Sequence, residues 1–132
     1  MLELDAITDL LYEPGLHMAG SNMSDEEAIT YARSKLQHCD YCIVRKWIWI
    51  DLDVSDEQQT ELAKTYRQPV ILYAHNVIFD SRRRWDEGDF VRTSPLYAFT
   101  EDFHFRTLST MYLLLGDGTR KRAALETMAR IF

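Results

Sequence analysis

Two long runs of β-branched and aromatic residues constrain this chain more than anything else in it. Tyr41 to Ile50 reads Tyr-Cys-Ile-Val-Arg-Lys-Trp-Ile-Trp-Ile, and Val70 to Phe79 reads Val-Ile-Leu-Tyr-Ala-His-Asn-Val-Ile-Phe. Side chains branched at Cβ pack well on a pleated surface and lose freedom in a helix, so both runs predict strands. Asp51 to Asp53 closes the first. Before the second, Pro69 biases Gln68 toward extended backbone. Between them Ser55-Asp56-Glu57-Gln58 is a capping box, in which the serine oxygen accepts from a first-turn amide and Gln58 reaches back, so a helix is expected from there to about Arg67. The connection is of crossover length, which admits the two strands as parallel neighbours.

The same signals divide the rest of the chain. Leu4, Ile7, Leu10 and Leu11 have helical spacing, stopped at Glu13-Pro14-Gly15. A second capping box, Ser24 with Glu27, starts a helix to about Gln37 that buries Ala28, Ile29, Ala32 and Leu36. After Asp80 comes a charged loop, Ser81 to Asp89. Short strands are expected near Phe90–Thr93, Leu96–Thr100, Phe103–Thr107 and Thr110–Leu115, with Gly116-Asp117-Gly118 as a closing turn. A final helix is expected from about Thr119. Its apolar stripe is Ala124, Leu125, Met128, Ile131 and Phe132, and Arg120, Lys121 and Arg122 sit unfavourably in its first turn, where cations oppose the dipole. The expected fold is α+β: one globular domain over residues 1–132, with a mixed, largely antiparallel sheet of about five strands and three to four helices packed on it.

Composition narrows the classes of function. Of 132 residues, 46% are hydrophobic and 27% charged, a globular profile. The N-terminus lacks a basic region before an apolar run and no segment is long and apolar enough to span a bilayer, so a cytoplasmic protein off the membrane is expected. The two cysteines agree with a reducing compartment. A net charge of −6 repels phosphate backbones at long range, which disfavours nucleic acid and favours a basic protein partner; a homo-oligomer is the other expected association.

Four residue groups could carry function. Trp47 and Trp49 fall on one strand face with Tyr41, Ile43 and Arg45, opposite Val44, Ile48 and Ile50. If helices cover one side of the sheet only, that face is an apolar interface; otherwise it is core. Arg82-Arg83-Arg84-Trp85 joins guanidinium groups to an aromatic, a composition that grips phosphates or stacks on bases, although Asp86, Glu87 and Asp89 follow and favour a self-neutralised loop. His38-Cys39-Asp40-Tyr41-Cys42 spaces two thiols for zinc or a redox pair, but this is half a site and falls at a helix end leading into a strand, where the dipole does not activate a thiol. Asp51 with Asp53 could hold a divalent ion, though such pairs are usually solvated. No glycine elbow accompanies Ser94 or Ser109, and no phosphate-cradling loop is present. No cofactor is implied.

The stretch Val91-Arg92-Thr93-Ser94-Pro95-Leu96, then Phe103 to Thr107, then Thr110 to Lys121 (Thr-Met-Tyr-Leu-Leu-Leu-Gly-Asp-Gly-Thr-Arg-Lys) resembles a signature of an uncharacterised family of short proteobacterial and phage or prophage proteins. Where this chain has Leu108-Ser109-Thr110, such proteins often read Arg-Asn-Thr. The resemblance implies an accessory cytosolic protein that acts by binding a host protein. The resulting expectation is a non-enzymatic, acidic, protein-binding factor whose partner belongs to a nucleic-acid-binding complex. The alternatives are a small enzyme or thiol/zinc protein centred on Cys39 and Cys42, and a nucleic-acid binder using Arg82 to Arg84 with Arg120 to Arg122.

Overall fold

The computed structural model describes residues 2–129. In chain order the elements are α1 (Leu2–Tyr12), β1 (Leu16–Ala19), α2 (Asp25–Lys35), β2 (Asp40–Asp53), α3 (Asp56–Ala63), β3 (Val70–Asp80), β4 (Val91–Arg92), β5 (Ala98–Thr100), β6 (His104–Arg106), β7 (Thr110–Leu114), β8 (Asp117–Ala124) and α4 (Leu125–Ala129). The class is α+β, as the mixture of helical and alternating periods predicts. The sheet is larger than expected, with eight strands in place of about five.

The sheet is organised around β2. On one side β2 pairs antiparallel with β3 from Cys42↔Asp80 to Asp51↔Val70. On the other it pairs in parallel with β7 over Asp40–Val44 and then with β8 over Ile48–Asp53. Beyond β7 come β6 and β5, beyond β8 comes β1, and β4 pairs with the far side of β3. The segment between β4 and β5 closes this surface. Leu96 N–H donates to the Val70 carbonyl at 2.8 Å and Tyr97 N–H to that of Arg106 at 2.7 Å, so the sheet curls back on itself. Inside the curl lie Trp47, Trp49, Leu72, Phe105 and Leu114 among others. Outside it, α1 and α4 cover Ile48, Ile50 and Ile71, and α2 lays Ala28, Ala32 and Leu36 on Ile43 and Leu113.

Three expectations are corrected. First, β2 and β3 are antiparallel neighbours. Residues 54–69 lead into β3 at the end where β2 finishes, pairing Val70 with Asp51, and the 8-residue α3 does not carry the chain back along the 14-residue β2. Second, the C-terminal helix starts at Leu125, and residues 117–124 form β8. Flanked by β1 and β2, this segment alternates: Arg120 and Arg122 turn to the aspartates of β2, and Lys121 turns to α1. The three cations therefore do not sit at a helix start. Ile131 and Phe132, expected on the helix stripe, lie outside the described residues.

Third, β2 does not keep one face. Cys42 and Val44 point into the curl together with Trp47 and Trp49, while Tyr41 and Ile43 pack beneath α2. The alternation reverses at Arg45–Lys46, where Lys46 takes φ +54, and an irregularity in the pairing to β3 lies just before it. That irregularity places the extra residue on β3, where Ile78 falls between the partners of Ile43 and Val44. The parallel neighbour of β2 breaks at the matching point, between β7 and β8, where Gly116 takes φ +67 and a Cβ would stand 3.0 Å from the Arg45 guanidinium.

Candidate functional site

The two tryptophans belong to the interior. Trp47 is 2% exposed; its indole N–H donates to the Leu115 carbonyl at 3.2 Å, and its ring rests on Gly118, where a Cβ would come within 2.3 Å of it. Trp49 is 7% exposed and meets Phe99 and Phe105 edge-on at 5.0 and 5.4 Å. Their burial follows from the reversed alternation at Arg45–Lys46, which puts both rings in the curl, so neither offers a partner a surface of any size.

The arginine loop is divided by the fold. Asp80, with a fully buried side chain, receives the Arg84 guanidinium at 2.7 and 3.1 Å and the Arg84 backbone N–H at 2.6 Å. The same guanidinium reaches Thr110 Oγ1 at 2.9 Å and lies 4.6 Å over the half-buried ring of Trp85. Hydrogen bonding to Asp80 drives the Arg84 pKa above its ordinary value. Arg82 pairs with Asp40 at 3.2 Å on the surface, and Arg83 is exposed. Neutralisation thus comes from Asp80 and Asp40, not from the acids that follow in sequence. The other basic cluster is neutralised likewise, Arg120 by Asp51 and Arg122 by Asp53, both at 2.6 Å. The two clusters stand at opposite ends of β2 and are not brought together.

The cysteines are also separated by burial. Cys42 faces the core beside Asp80, and burial, helped by that carboxylate, pushes its pKa up to about 12. Cys39 is exposed, and partial burial of its sulfur raises its pKa as well. Neither environment favours the thiolate that zinc or redox chemistry requires. Among the described residues no three His, Cys, Asp or Glu side chains are grouped to hold a metal ion. No described helix is long and apolar enough to cross a membrane.

The arrangement that suits binding lies elsewhere, under α3. This helix is well formed at its ends: Gln58 N–H donates to Ser55 Oγ at 3.1 Å, Ser55 N–H to Gln58 Oε1 at 2.8 Å, and Arg67 N–H to the Leu62 carbonyl at 2.9 Å. Yet none of its residues is buried. An isolated helix this short is marginal in water, because packing an apolar face supplies most of a helix's stability. Beneath α3 runs a cleft of about 810 Å³ whose apolar lining is Leu52, Val54, Leu62, Pro95 and Leu125. Leu125, at the start of α4, is 41% exposed. Asp56, Glu57, Glu61 and Arg67 are the charged residues of its lining. Glu61 is paired with Lys64 at 2.7 Å, whereas Asp56 and Glu57 have no cationic partner among the described residues.

A family model described as a domain of unknown function, DUF6957, matches residues 19–130. The chain belongs to the DUF6957 family. No curated protein and no solved structure matches the chain. The DUF6957 span begins at the last residue of β1 and contains both walls of the cleft, leaving α1 outside it. Membership agrees with an uncharacterised family and brings no chemistry with it.

Sequence reasoning missed the cleft. A signal was present in α3 itself, Asp-Glu-Gln-Gln-Thr-Glu-Leu-Ala, which is capped like a helix but has no apolar stripe to bury. A second large groove, of about 900 Å³ between α1 and β8, is lined by cations already engaged: Lys121 Nζ donates to the carbonyls of Asp9, Leu10 and Glu13 and closes the C-terminal end of α1.

Proposed function

We propose that this DUF6957 chain is a small, non-enzymatic, cytoplasmic protein-binding module whose partner is a basic protein held in the cleft under α3. The observation that carries this reading is a cleft with an apolar floor, lined on one side by a helix that has no fully buried residue, with carboxylates among its lining residues. An apolar floor supplies affinity, while like-signed charge around it steers and selects a partner of opposite sign. The net charge of −6 acts in the same direction at long range. The resemblance to short phage and prophage proteins suggests an accessory role toward a host nucleic-acid-binding complex, whose proteins carry the required positive charge. The engaged state of the basic clusters and the raised thiol pKa values leave the nucleic-acid and thiol readings with less support.

The test compares the tagged protein with Leu125→Asp and Arg83→Ala variants in affinity purification from the native cytosol at low and high salt. The expected result is one basic protein in stoichiometric amount, released by salt, lost with Leu125→Asp and kept by Arg83→Ala. Circular dichroism confirms that each variant folds. A co-eluting set unchanged by Leu125→Asp would overturn the reading.

A further inference from the structure

We infer that the segment occupying this cleft is a short amphipathic helix bearing Lys or Arg beside its apolar face; this rests on the reading of the cleft as a protein-binding site and specifies what that site takes. Protein surfaces accept partner segments chiefly as an added strand, which needs a free backbone edge, or as a helix, which needs an apolar groove and no backbone groups.

The backbone around this cleft offers no edge. At Leu52 the strand β2 is flanked by β8 through Asp51↔Arg122 and Asp53↔Ala124. On its other side Leu52 N–H donates to the Pro69 carbonyl at 2.8 Å. The next wall is closed as well, because Leu96 N–H donates to the Val70 carbonyl and Gln68 N–H to that of Leu96, each at 2.8 Å. An extended segment laid here would leave its own amides unpaired against leucine, valine and proline side chains, which is costly. A helix satisfies its amides internally and brings side chains alone.

The walls match a helix in length and charge. The 8 residues of α3 extend about 12 Å, two turns, and a second helix packs against such a neighbour at about 8–10 Å between axes. Leu62 on α3 and Leu125 on α4 both line the cleft and offer apolar contacts to the occupant's apolar face. Asp56 and Glu57 lie in the first turn of α3 and Glu61 one turn later, so cations spaced three or four residues apart on the occupant meet these carboxylates in register.

The experiment titrates the full chain into three fluorescently labelled sets of peptides of about 14 residues, long enough for such a docking helix. The first has Leu, Met or Phe varied at helical spacing with Lys on the flanks; the second carries a central Pro; the third has Glu for Lys. Members of the first set are expected to bind saturably, about a hundred-fold tighter than their Pro counterparts, the penalty of breaking a helix expressed as affinity. They are expected to bind about ten-fold or more tighter than the Glu set, and to lose that binding with Leu125→Asp or Leu62→Asp. Equal binding of the Pro set overturns the helical occupant while leaving the basic-partner reading standing. Equal binding of the Glu set overturns the charge selection. If a cellular partner is lost with Leu125→Asp yet no peptide of the first set competes with it at millimolar concentration, the helix inference fails alone; if neither a partner nor a peptide depends on Leu125, both readings fail.

Discussion

Arg82, Arg83 and Arg84 are three identical side chains in a row that the fold places in three different environments. Arg84 neutralises a carboxylate that has no access to water, and removing one member of a buried ion pair leaves an uncompensated charge. Arg84→Ala is therefore expected to destabilise the fold by about 3 kcal/mol, tempered by the partial exposure of the arginine itself. Arg82→Ala, at a surface pair, and Arg83→Ala are expected to stay within about 0.5 kcal/mol of the parent. Urea denaturation of the three variants reads the contrast, and equal losses would show that Asp80 is satisfied without Arg84. Composition alone marks this triplet as basic. Which guanidinium reaches inward depends on the turn after β3, where Arg83 takes φ +55 and the Arg84 amide meets Asp80.

At the scale of the element, α3 is the odd member. The other long helices bury apolar residues, Leu10 from α1 and Ala28 and Ala32 from α2, whereas α3 has no fully buried residue and relies on its caps and the half-buried Leu62. Ser55→Ala removes the capping box and is expected to cost about 1 kcal/mol, felt as local fraying. Hydrogen exchange is then expected to accelerate at amides of α3 while those of β2 and β3 keep their protection; a matching loss of protection in β2 would mean that α3 unfolds only with the whole chain. The capping boxes of α2 and α3 were readable in advance because they are local, four residues each. The strand β8 was not. Its Arg-Lys-Arg-Ala-Ala run favours a helix by intrinsic propensity, and what overrides that is a place between β1 and β2 where Arg120 and Arg122 meet Asp51 and Asp53.

For the molecule as a whole, the buried titratable groups predict a response to alkali. Burial holds the Cys42 thiol and the Tyr112 phenol protonated up to about pH 12 in the folded chain, against ordinary values of 9 and 10. Both folded values are raised, so their contribution is complete below about pH 9 and is lost as the pH climbs toward 12. The urea midpoint is expected to decline across that window, more shallowly in Cys42→Ala, whose slope rather than absolute stability is the readout. An unchanged slope would mean that Cys42 is not the group being titrated. The scale of the molecule also separates what was determined locally from what was not. Local pattern is enough for the α+β class, both long strands, the capped starts of α2 and α3 and the break at Pro14, because propensity, capping and hydrophobic period act over a few residues, whereas the expected turn at Gly116-Asp117-Gly118 is only Gly116, the other two residues opening β8. Contacts between distant segments decided that β2 and β3 run antiparallel, that the alternation of β2 reverses around Lys46, whose φ is +54, so that Trp47 and Trp49 face inward, and that Leu52, Leu62, Pro95 and Leu125 meet in one cleft. Those outcomes depend on pairing between segments distant along the chain, which local preferences do not encode.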